Sequence, residues 1–281
     1  MQTEKKGWGA WLMIGCVLIY ISFLLLAPIT ALIRGAFAGG FLAVVESIYS
    51  DVFFQSLLLS LKIALGVVLV QVLLGSMIAW VMVRQDFWGK EFLNSLLDVP
   101  FAISPVVVGY MLLLLFGRNG FLNPVTEWLN IKVAFAVPGM FLATLFVSFP
   151  FMIREMIPVI ENLDQAQEQA ALTLGANRWS TFWRVIFPQL RSALIYGMTL
   201  TLARALGEFG AVLVIGGGVQ GRTETTTLFI YRALDERRYI EAYTASIILG
   251  SFSVLIVSLA DMLKRLQEKK RTSDKLMVSN Q

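Results

Sequence analysis

The chain has 281 residues, of which 57% are hydrophobic and only 15% charged, and its net charge is +4. Soluble domains carry about 25% charged residues, so this composition excludes an ordinary soluble protein and favours one whose outer face contacts lipid. The single cysteine, Cys16, excludes an intrachain disulfide, and the lack of histidine excludes His-based zinc sites and Ser-His triads. The sequence also lacks the G-x-x-x-x-G-K-S/T motif, so we do not expect this chain to bind ATP through a P-loop or to be an enzyme.

Long apolar runs recur along the chain. A membrane-spanning helix needs about 20 predominantly apolar residues. Six runs in the sequence approach or exceed this length while holding few charged residues. They predict an all-α integral membrane protein, a single transmembrane domain with six spans near residues 9–33, 54–83, 94–117, 136–154, 192–216 and 242–262.

The first apolar run, near residues 9–33, is longer than the 7–15 residues of a signal peptide core, so we expect it to be a retained anchor. With the N-terminus in the cytoplasm, the inner segments hold about twice as many lysines and arginines as the outer ones. This bias predicts that both termini are cytoplasmic. The predicted inner residues are Lys5, Lys6, Arg84, Lys90, Arg154, Arg178, Arg184, Arg191, Lys264, Arg265, Lys269, Lys270, Arg271 and Lys275.

The inner segment between the fourth and fifth spans has helical patterns of its own. Asp164 followed by Gln167 is typical of a capping box that opens a helix, and Gly175 stands where a helix-ending glycine is expected. Asn177 is positioned to cap a second short helix, and Pro188 to stop it and open the next span. The segment therefore predicts a helix–glycine–helix unit beneath the membrane.

The second of these helices has an apolar face. Trp179, Phe182, Trp183 and Ile186 recur at helical spacing and predict an exposed aromatic ridge. An apolar ridge in water is unfavourable without a partner. It lies flat on the bilayer, packs beneath its own bundle, or is bound by a soluble protein, and the pattern itself leaves these alternatives open.

The spacing within this unit resembles the EAA loop of the ABC importer permeases, whose pattern is Glu-Ala-Ala, three residues, Gly, nine residues, Ile, any residue, Leu, Pro. Here Gln169 replaces the glutamate, with Glu168 one position earlier, while Val185 and Phe187 keep apolar side chains. In that family the loop forms a coupling helix that seats in a groove of the ATPase subunit. The resemblance implies a coupling unit at residues 164–188. Its expected ATPase contacts are Glu168, Gln169, Ala170, Ala171, Gly175, Asn177, Trp179, Phe182 and Pro188.

Two further segments, 97–107 and 203–211, resemble the sulfate/molybdate branch of that family, and the chain is most similar to its W-type sulfate and thiosulfate permeases. The resemblance implies the type I importer permease fold in a bacterial-type cytoplasmic (inner) membrane. It also implies a second, T-type permease subunit, two ATPase subunits that hold ATP and magnesium, and an extracytoplasmic sulfate-binding protein. We expect no cofactor or metal in this chain and no nucleic-acid partner. Molybdate, tungstate or phosphate remain alternative substrates.

Charges inside the predicted spans are candidates for the transport path. Arg204 and Glu208 lie four positions apart, and at bilayer depth such charges face a partner or water. They are expected to form an ion pair that fixes packing, to line or gate the anion path with Phe209, or both. Because the pair is neutral, it is a poor fixed site for a dianion. Lys62, nearer the outer face, either extends to the membrane interface or attracts the anion.

Prolines mark the third span as irregular. Pro100 and Pro105 each remove a backbone donor, and Gly109 follows them. Freed backbone groups at membrane depth are tolerated where they line a cavity. We therefore expect either a packing kink or a bend that turns Ser104 toward the central pathway, opposite the fifth span.

Two rival functions need no ATPase. A secondary transporter would show inverted repeats with interrupted helices in matching halves, whereas the sequence marks only one proline-broken span. A passive channel would have no use for the aromatic ridge. Copurification of an ATPase separates both rivals from an importer permease.

Overall fold

The computed structural model describes residues 8–279, with side-chain packing for residues 8–9 and 11–262. Within these residues the protein is all-α. Lys5 and Lys6, used above for orientation, lie outside the described residues, as do the side chains of the basic run 264–275. The helices are α1 (Trp8–Ala36), α2 (Phe41–Ile48), α3 (Asp51–Val70), α4 (Ser76–Arg84), α5 (Lys90–Leu97), α6 (Val99–Ala102), α7 (Pro105–Phe116), α8 (Asn123–Trp128), α9 (Val137–Glu161), α10 (Gln165–Thr173), α11 (Arg178–Thr181), α12 (Phe187–Leu206), α13 (Gly210–Gly216), α14 (Thr226–Asp235) and α15 (Tyr239–Ser279).

Four continuous helical segments are long and apolar enough to cross a membrane, and two bent pairs bring the number to six if each pair is one span. This agrees with the predicted class of α-helical membrane protein. The bent pairs are the predicted third and fifth spans. The four continuous segments are Trp11–Gly39, Asp51–Arg84, Val137–Glu161 and Tyr239–Met262.

The predicted third span, 94–117, is two arms rather than one helix. The arm formed by α5 and α6 meets α7 at an angle of 108°. The backbone is extended at Ile103 and Ser104, because Pro105 disfavours helical geometry at the residue before it. Pro105 then begins α7, where its missing N–H removes no helical hydrogen bond.

The predicted fifth span, 192–216, is broken as well. α12 ends at Leu206, α13 begins at Gly210, and the two are bent by 57°. Phe209 between them has φ −129° and ψ −58°, which no longer continues the helix. Two spans are therefore interrupted, where the sequence predicted one. The second break escaped prediction because no proline marks it in the sequence.

The sequence predicts that Pro188 stops the second short helix and opens the fifth span. The structure shows no such separation. The helix continues without interruption from Arg178 to Leu206. Five residues with π-helical geometry, Phe182–Ile186, precede the proline. A π segment widens the turn, so the proline ring and its missing N–H are accommodated without ending the helix.

The spanning helices pack closely around α9. Met152 lies between two glycines of neighbouring helices: a Cβ at Gly75 would come within 3.1 Å of its Cγ, and one at Gly197 within 2.6 Å of its Sδ. The buried apolar residues follow α3, α9, α12 and α13 through one half of the bundle and α4, α9 and α12 through the other. Gln71, in a second π segment after α3, is also buried and donates a hydrogen bond to the Leu145 carbonyl (3.3 Å).

Candidate functional site

The first half of the coupling unit, residues 164–188, begins with the predicted cap. The Asp164 carboxylate accepts a hydrogen bond from the Ala166 N–H (3.0 Å) at the start of α10. Gln167 donates its side-chain amide to the same carboxylate (3.2 Å), so the reciprocal bond of a capping box is not made. The helix is nevertheless where the sequence predicts it.

The two halves of the unit are joined by the predicted glycine turn. Gly175 has φ 86°, and the Ala176 N–H donates to the Ala171 carbonyl, which together form a Schellman motif at the end of α10. The Asn177 side chain then accepts from the Ser180 N–H (2.7 Å) and caps α11. Local residue chemistry therefore determines this helix–glycine–helix geometry.

The predicted aromatic ridge is divided between solvent and protein. Trp179 is 71% exposed and Trp183 45% exposed, and their ring centroids are 5.7 Å apart in an edge-to-face contact. Ile186 is buried, and Phe182 packs edge to face against Trp80 of α4. A fully exposed ridge is therefore wrong for Phe182 and Ile186, because the helix continues into α12 and turns that face onto the bundle.

An ion pair connects the coupling unit to the end of the second span. Arg84 Nη2 lies 2.9 Å from Glu168 Oε2, and the Arg84 guanidinium lies 5.0 Å from the ring centroid of Trp80. Both helices of the unit thus contact α4, α10 through Arg84 and α11 with its π extension through Trp80. The sequence marks Arg84 only as an inner-side charge, since its partner lies 84 positions away.

The other side of the unit remains open. Gln169, Ala170 and Gly175 are exposed, and Leu174 at the turn is 88% exposed. We call these residues and Trp179 the coupling surface, after the role that the sequence predicts for them; it is a mixture of small, amide and apolar groups.

The breaks of the third and fifth spans lie side by side. A Cβ at Gly210 would lie 3.3 Å from the Pro105 Cβ and 3.0 Å from Val106 Cγ2, and one at Gly109 would lie 2.6 Å from the Ala211 carbonyl oxygen. At Gly109 the close neighbour is backbone, so a larger residue does not fit there without displacing it. We call residues 103–105 and 207–210 together the broken-helix junction.

Glu208 is buried at this junction, with 2% of its surface exposed. Its Oε1 accepts a hydrogen bond from the Ala211 N–H (2.9 Å), and its Oε2 lies 2.8 Å from Arg204 Nη1. The contact with Arg204 is an ion pair whose angle does not meet hydrogen-bond geometry. The predicted pair therefore exists, but Glu208 belongs to the break between α12 and α13 rather than to a continuous helix.

A third chain segment reaches the same place. The Thr227 hydroxyl donates to the Glu208 carbonyl oxygen (2.7 Å), and the Thr226 N–H donates to Ser60 Oγ of α3 (2.8 Å). α14 therefore begins at the junction, and Tyr231 on it contacts the Phe209 ring at 5.3 Å between centroids. No local sequence pattern predicts a role for either threonine, because both contacts form only when the chain folds back onto α3 and the junction.

The predicted pathway residues divide into two groups. Ser104, Pro105, Arg204, Glu208 and Phe209 all belong to the junction or adjoin it, and Ser104 is exposed there. Pro100 is buried in α6, two positions after Asp98, and the ion pair of Asp98 with Arg154 (2.7 Å) joins that arm to α9. Within the described residues, no group of three or more His, Cys, Asp or Glu side chains is arranged to hold a metal ion.

Sequence relatives cover nearly the whole chain. The "Sulfate transport system permease protein CysW" of Synechococcus elongatus is 41% identical over 261 residues, 93% of this chain and 91% of the relative. The protein of the same description from Escherichia coli K12 is 37% identical over 274 residues, 96% of this chain and 93% of the relative.

Solved structures share the fold at lower identity. A bacterial ABC transporter that imports the acidic polysaccharide alginate matches with a TM-score of 0.77 and 19% identity, covering 93% of this chain and 96% of that one. The alginate transporter in complex with its pentasaccharide-bound periplasmic protein matches with a TM-score of 0.76 and 20% identity, covering 93% and 95%.

A family model agrees with both comparisons. Residues 71–273 match the model described as "binding-protein-dependent transport system inner membrane component". That range includes the coupling unit and the broken-helix junction. The chain is a multi-pass membrane protein and belongs to this family of ABC importer permeases.

Proposed function

We propose that the protein is the membrane-spanning subunit of an ATP-driven importer for sulfate, with thiosulfate as a second substrate. The observation that carries the proposal is the coupling surface, which ends in exposed Leu174 and Trp179 and is tied to the bundle by the Arg84–Glu168 pair. The two relatives named above support sulfate as the substrate, because they match over nine-tenths of both chains.

Force from an ATPase would travel along one helix. The continuous helix from Arg178 to Leu206 is about 40 Å long and connects the coupling surface directly to the broken-helix junction. A helix without a break moves as a rigid rod, so a push at Trp179 would shift Glu208 and the start of α13. In this mechanism the π segment before Pro188 keeps the helix continuous, so that it can transmit the movement.

The junction would then act as the gate. Arg204 and Glu208 neutralise each other, so the closed junction presents no fixed charge that would trap a dianion. Movement of α12 relative to α13 would separate Ser104 and Pro105 from Phe209 and open a path between this subunit and a second permease. The ion pair is a packing element in one state and a part of the gate in the other.

The partners follow from this arrangement. Two ATPase subunits would bind the coupling surfaces of this chain and of a second permease subunit, and would supply ATP and magnesium. A binding protein would deliver the anion at the opposite end, as the alginate transporter complex with its periplasmic protein suggests by analogy. The coupling surface and both termini would then be cytoplasmic.

The secondary-transporter alternative gains no support from the second broken span. If each bent pair is one span, the third and fifth cross the membrane in the same direction. Inverted repeats require matching halves that cross in opposite directions. A passive channel likewise leaves the coupling surface without a purpose.

Copurification and uptake test the proposal together. The tagged chain, expressed with its partners, should retain an ATPase. Membrane vesicles that carry the complex, with loaded binding protein outside, should accumulate labelled sulfate only when ATP is present inside. Excess molybdate as competitor identifies the preferred anion. Purification as a lone homo-oligomer, or uptake that does not depend on ATP, would contradict the proposal.

A further inference from the structure

A cavity lined by both charged and apolar side chains lies between α3 and the loop that leads into α14. Its volume is about 230 Å³, many times the space that one water molecule needs. Gln55 and Lys62 line it from α3, seven positions apart on one helix face, and Gly221 and Arg222 line it from the loop. It is not part of the junction described above, although α14 connects the two.

The position of this loop indicates that the cavity holds water. Ser60 and Lys62 lie about 14 and 17 Å along α3 from its first residue, and the Thr226 N–H bonds to Ser60. Irregular backbone at membrane depth is tolerated only where protein buries it or where it lines a water-filled cavity. Lys62 is exposed, and a charged side chain at this depth requires water or a partner.

The cavity carries an excess of positive charge. Within the described residues neither Lys62 nor Arg222 forms an ion pair. The acidic residue in the lining, Glu224, is already paired with Arg232, whose Nη2 lies 2.8 Å from Glu224 Oε2. An ammonium and a guanidinium without counter-charges, beside the Gln55 amide, suit a tetrahedral oxyanion with several acceptor oxygens.

We propose that this cavity is a transient subsite for a tetrahedral dianion, held by Lys62 and Arg222 between its release by the binding protein and its passage to the broken-helix junction. The proposal rests on the proposed function and assigns Lys62 the attracting role rather than extension to the membrane interface. Binding must be weak, since a path that holds its ion tightly does not conduct. Lys62 and Arg222 are both exposed, so water competes with them for the ion and keeps its binding weak.

Cysteine protection tests the subsite directly. Gln55→Cys in a Cys16→Ser background keeps both cationic residues and places a thiol in the cavity of the assembled complex in nanodiscs. We expect a membrane-impermeant, negatively charged thiosulfonate to label it, and millimolar sulfate to slow labelling about tenfold relative to chloride at equal ionic strength. Adding Lys62→Gln and Arg222→Gln should abolish the protection.

Arg237→Cys in the same background is the matched control, because Arg237 is exposed in the loop between α14 and α15 and does not line the cavity. It should be labelled equally fast with and without sulfate. If the thiol at position 55 does not react from water, or reacts at one rate in both salts, the subsite does not exist.

Uptake separates a failed subsite from a failed function. With saturating loaded binding protein, Lys62→Gln/Arg222→Gln should lower the initial rate of sulfate uptake about tenfold, while Arg237→Gln leaves it unchanged. Uptake by the double variant at the wild-type rate overturns the subsite alone. If the wild-type complex takes up no sulfate, the proposed function fails, and sulfate protection at position 55 still decides whether an anion binds there.

Discussion

At the scale of single residues, buried charge organises the junction. The Glu208 carboxylate is almost fully buried, and it is held by one backbone N–H and by Arg204. A buried carboxylate that loses its cation costs far more than the pair contributes when intact. This asymmetry makes the pair testable by removing one or both partners.

We predict that Arg204→Gln destabilises the protein by about 3 kcal/mol, because it leaves Glu208 as an unpaired buried charge. The double variant Arg204→Gln/Glu208→Gln should be more stable than the single one, since it buries no charge. Thermal unfolding of the purified complex in detergent measures both. If the double variant is the less stable of the two, the pair does not hold the junction together.

A second residue-scale prediction concerns Glu224, which belongs to the loop before α14 and to none of the candidate spanning helices. Burial raises the pKa of its carboxyl above 4.5, and the hydrogen bond and charge of Arg232 act in the opposite direction. A raised folded-state pKa gives stability that is fully present below the unfolded pKa and lost as the pH rises through the folded pKa.

Stability should therefore decline more steeply in the wild type than in Glu224→Gln as the pH rises from about 4.5 through the raised pKa of Glu224. Melting temperatures of the complex across the acidic range supply the two slopes. Asp235→Asn is the control, because that carboxylate is exposed and does not act on the pKa of Glu224. Parallel slopes for wild type and Glu224→Gln would contradict the expectation.

At the scale of elements, close packing of α7 against α13 brings the two breaks together. Gly109→Ala would place a Cβ 2.6 Å from the Ala211 carbonyl oxygen, which belongs to backbone and does not yield easily. We expect a loss of about 1–3 kcal/mol in stability, with slower uptake. Gly250→Ala in α15 is the matched control, since nothing lies within 4 Å of its Cβ position. Equal melting temperatures for the two variants would count against the packing argument.

The connection between the coupling unit and α4 gives a second prediction at this scale. Glu168→Gln removes the ion pair with Arg84, which is partly exposed and contributes about 1 kcal/mol. We expect the stimulation of ATP hydrolysis by loaded binding protein to fall roughly fivefold while the subunits still assemble. Lys90→Gln, which breaks the exposed Lys90–Asp86 pair, should leave the stimulation intact. Equal effects of the two variants would show that the pair has no special role.

At the scale of the whole molecule, each end of the bundle carries an exposed tryptophan, and only one of the two lies on the coupling surface. Trp179 lies on the coupling surface, and Trp128 in α8, which connects α7 to α9 at the other end, is 83% exposed. Trp179→Ala should reduce the ATPase retained on the tagged complex about 30-fold, the effect of losing a 2 kcal/mol anchor. Trp128→Ala should retain it fully. Loss of the ATPase in both variants would indicate general misfolding instead.

Much of the helical architecture was predictable because it depends on local chemistry. Apolar run length located the four continuous candidate spans and the two bent helix pairs, and Asp164, Gly175 and Asn177 located the ends of the helices in the unit 164–188. The second broken span was not predictable, because Gly207 and Gly210 in an apolar run look like ordinary packing glycines. At this break Gly210 approaches Pro105 and Val106, a tertiary contact that no local pattern records.

The candidate site was only partly predictable for the same reason. Arg204 and Glu208 are close in sequence, so their pairing could be expected. Arg84 with Glu168, and Ser60 with Thr226, are separated by 84 and 166 positions, and no local pattern connects them. The exposure of the aromatic ridge was also misjudged, since it depends on how α11 continues into α12.

The sequence by itself determined that this is a helical membrane protein with a helix–glycine–helix unit after α9, because apolar run length and capping residues act over a few turns of helix. Only the tertiary structure decided where those helices break and what the breaks meet. Close approach of backbones at Gly109 and Gly210, and the return of the chain to Glu208 and Ser60, depend on packing between distant segments. In a membrane the polar backbone groups freed at a break must be buried in protein or face water. Which segments bury them depends on the whole bundle, so no single stretch of sequence predicts these contacts.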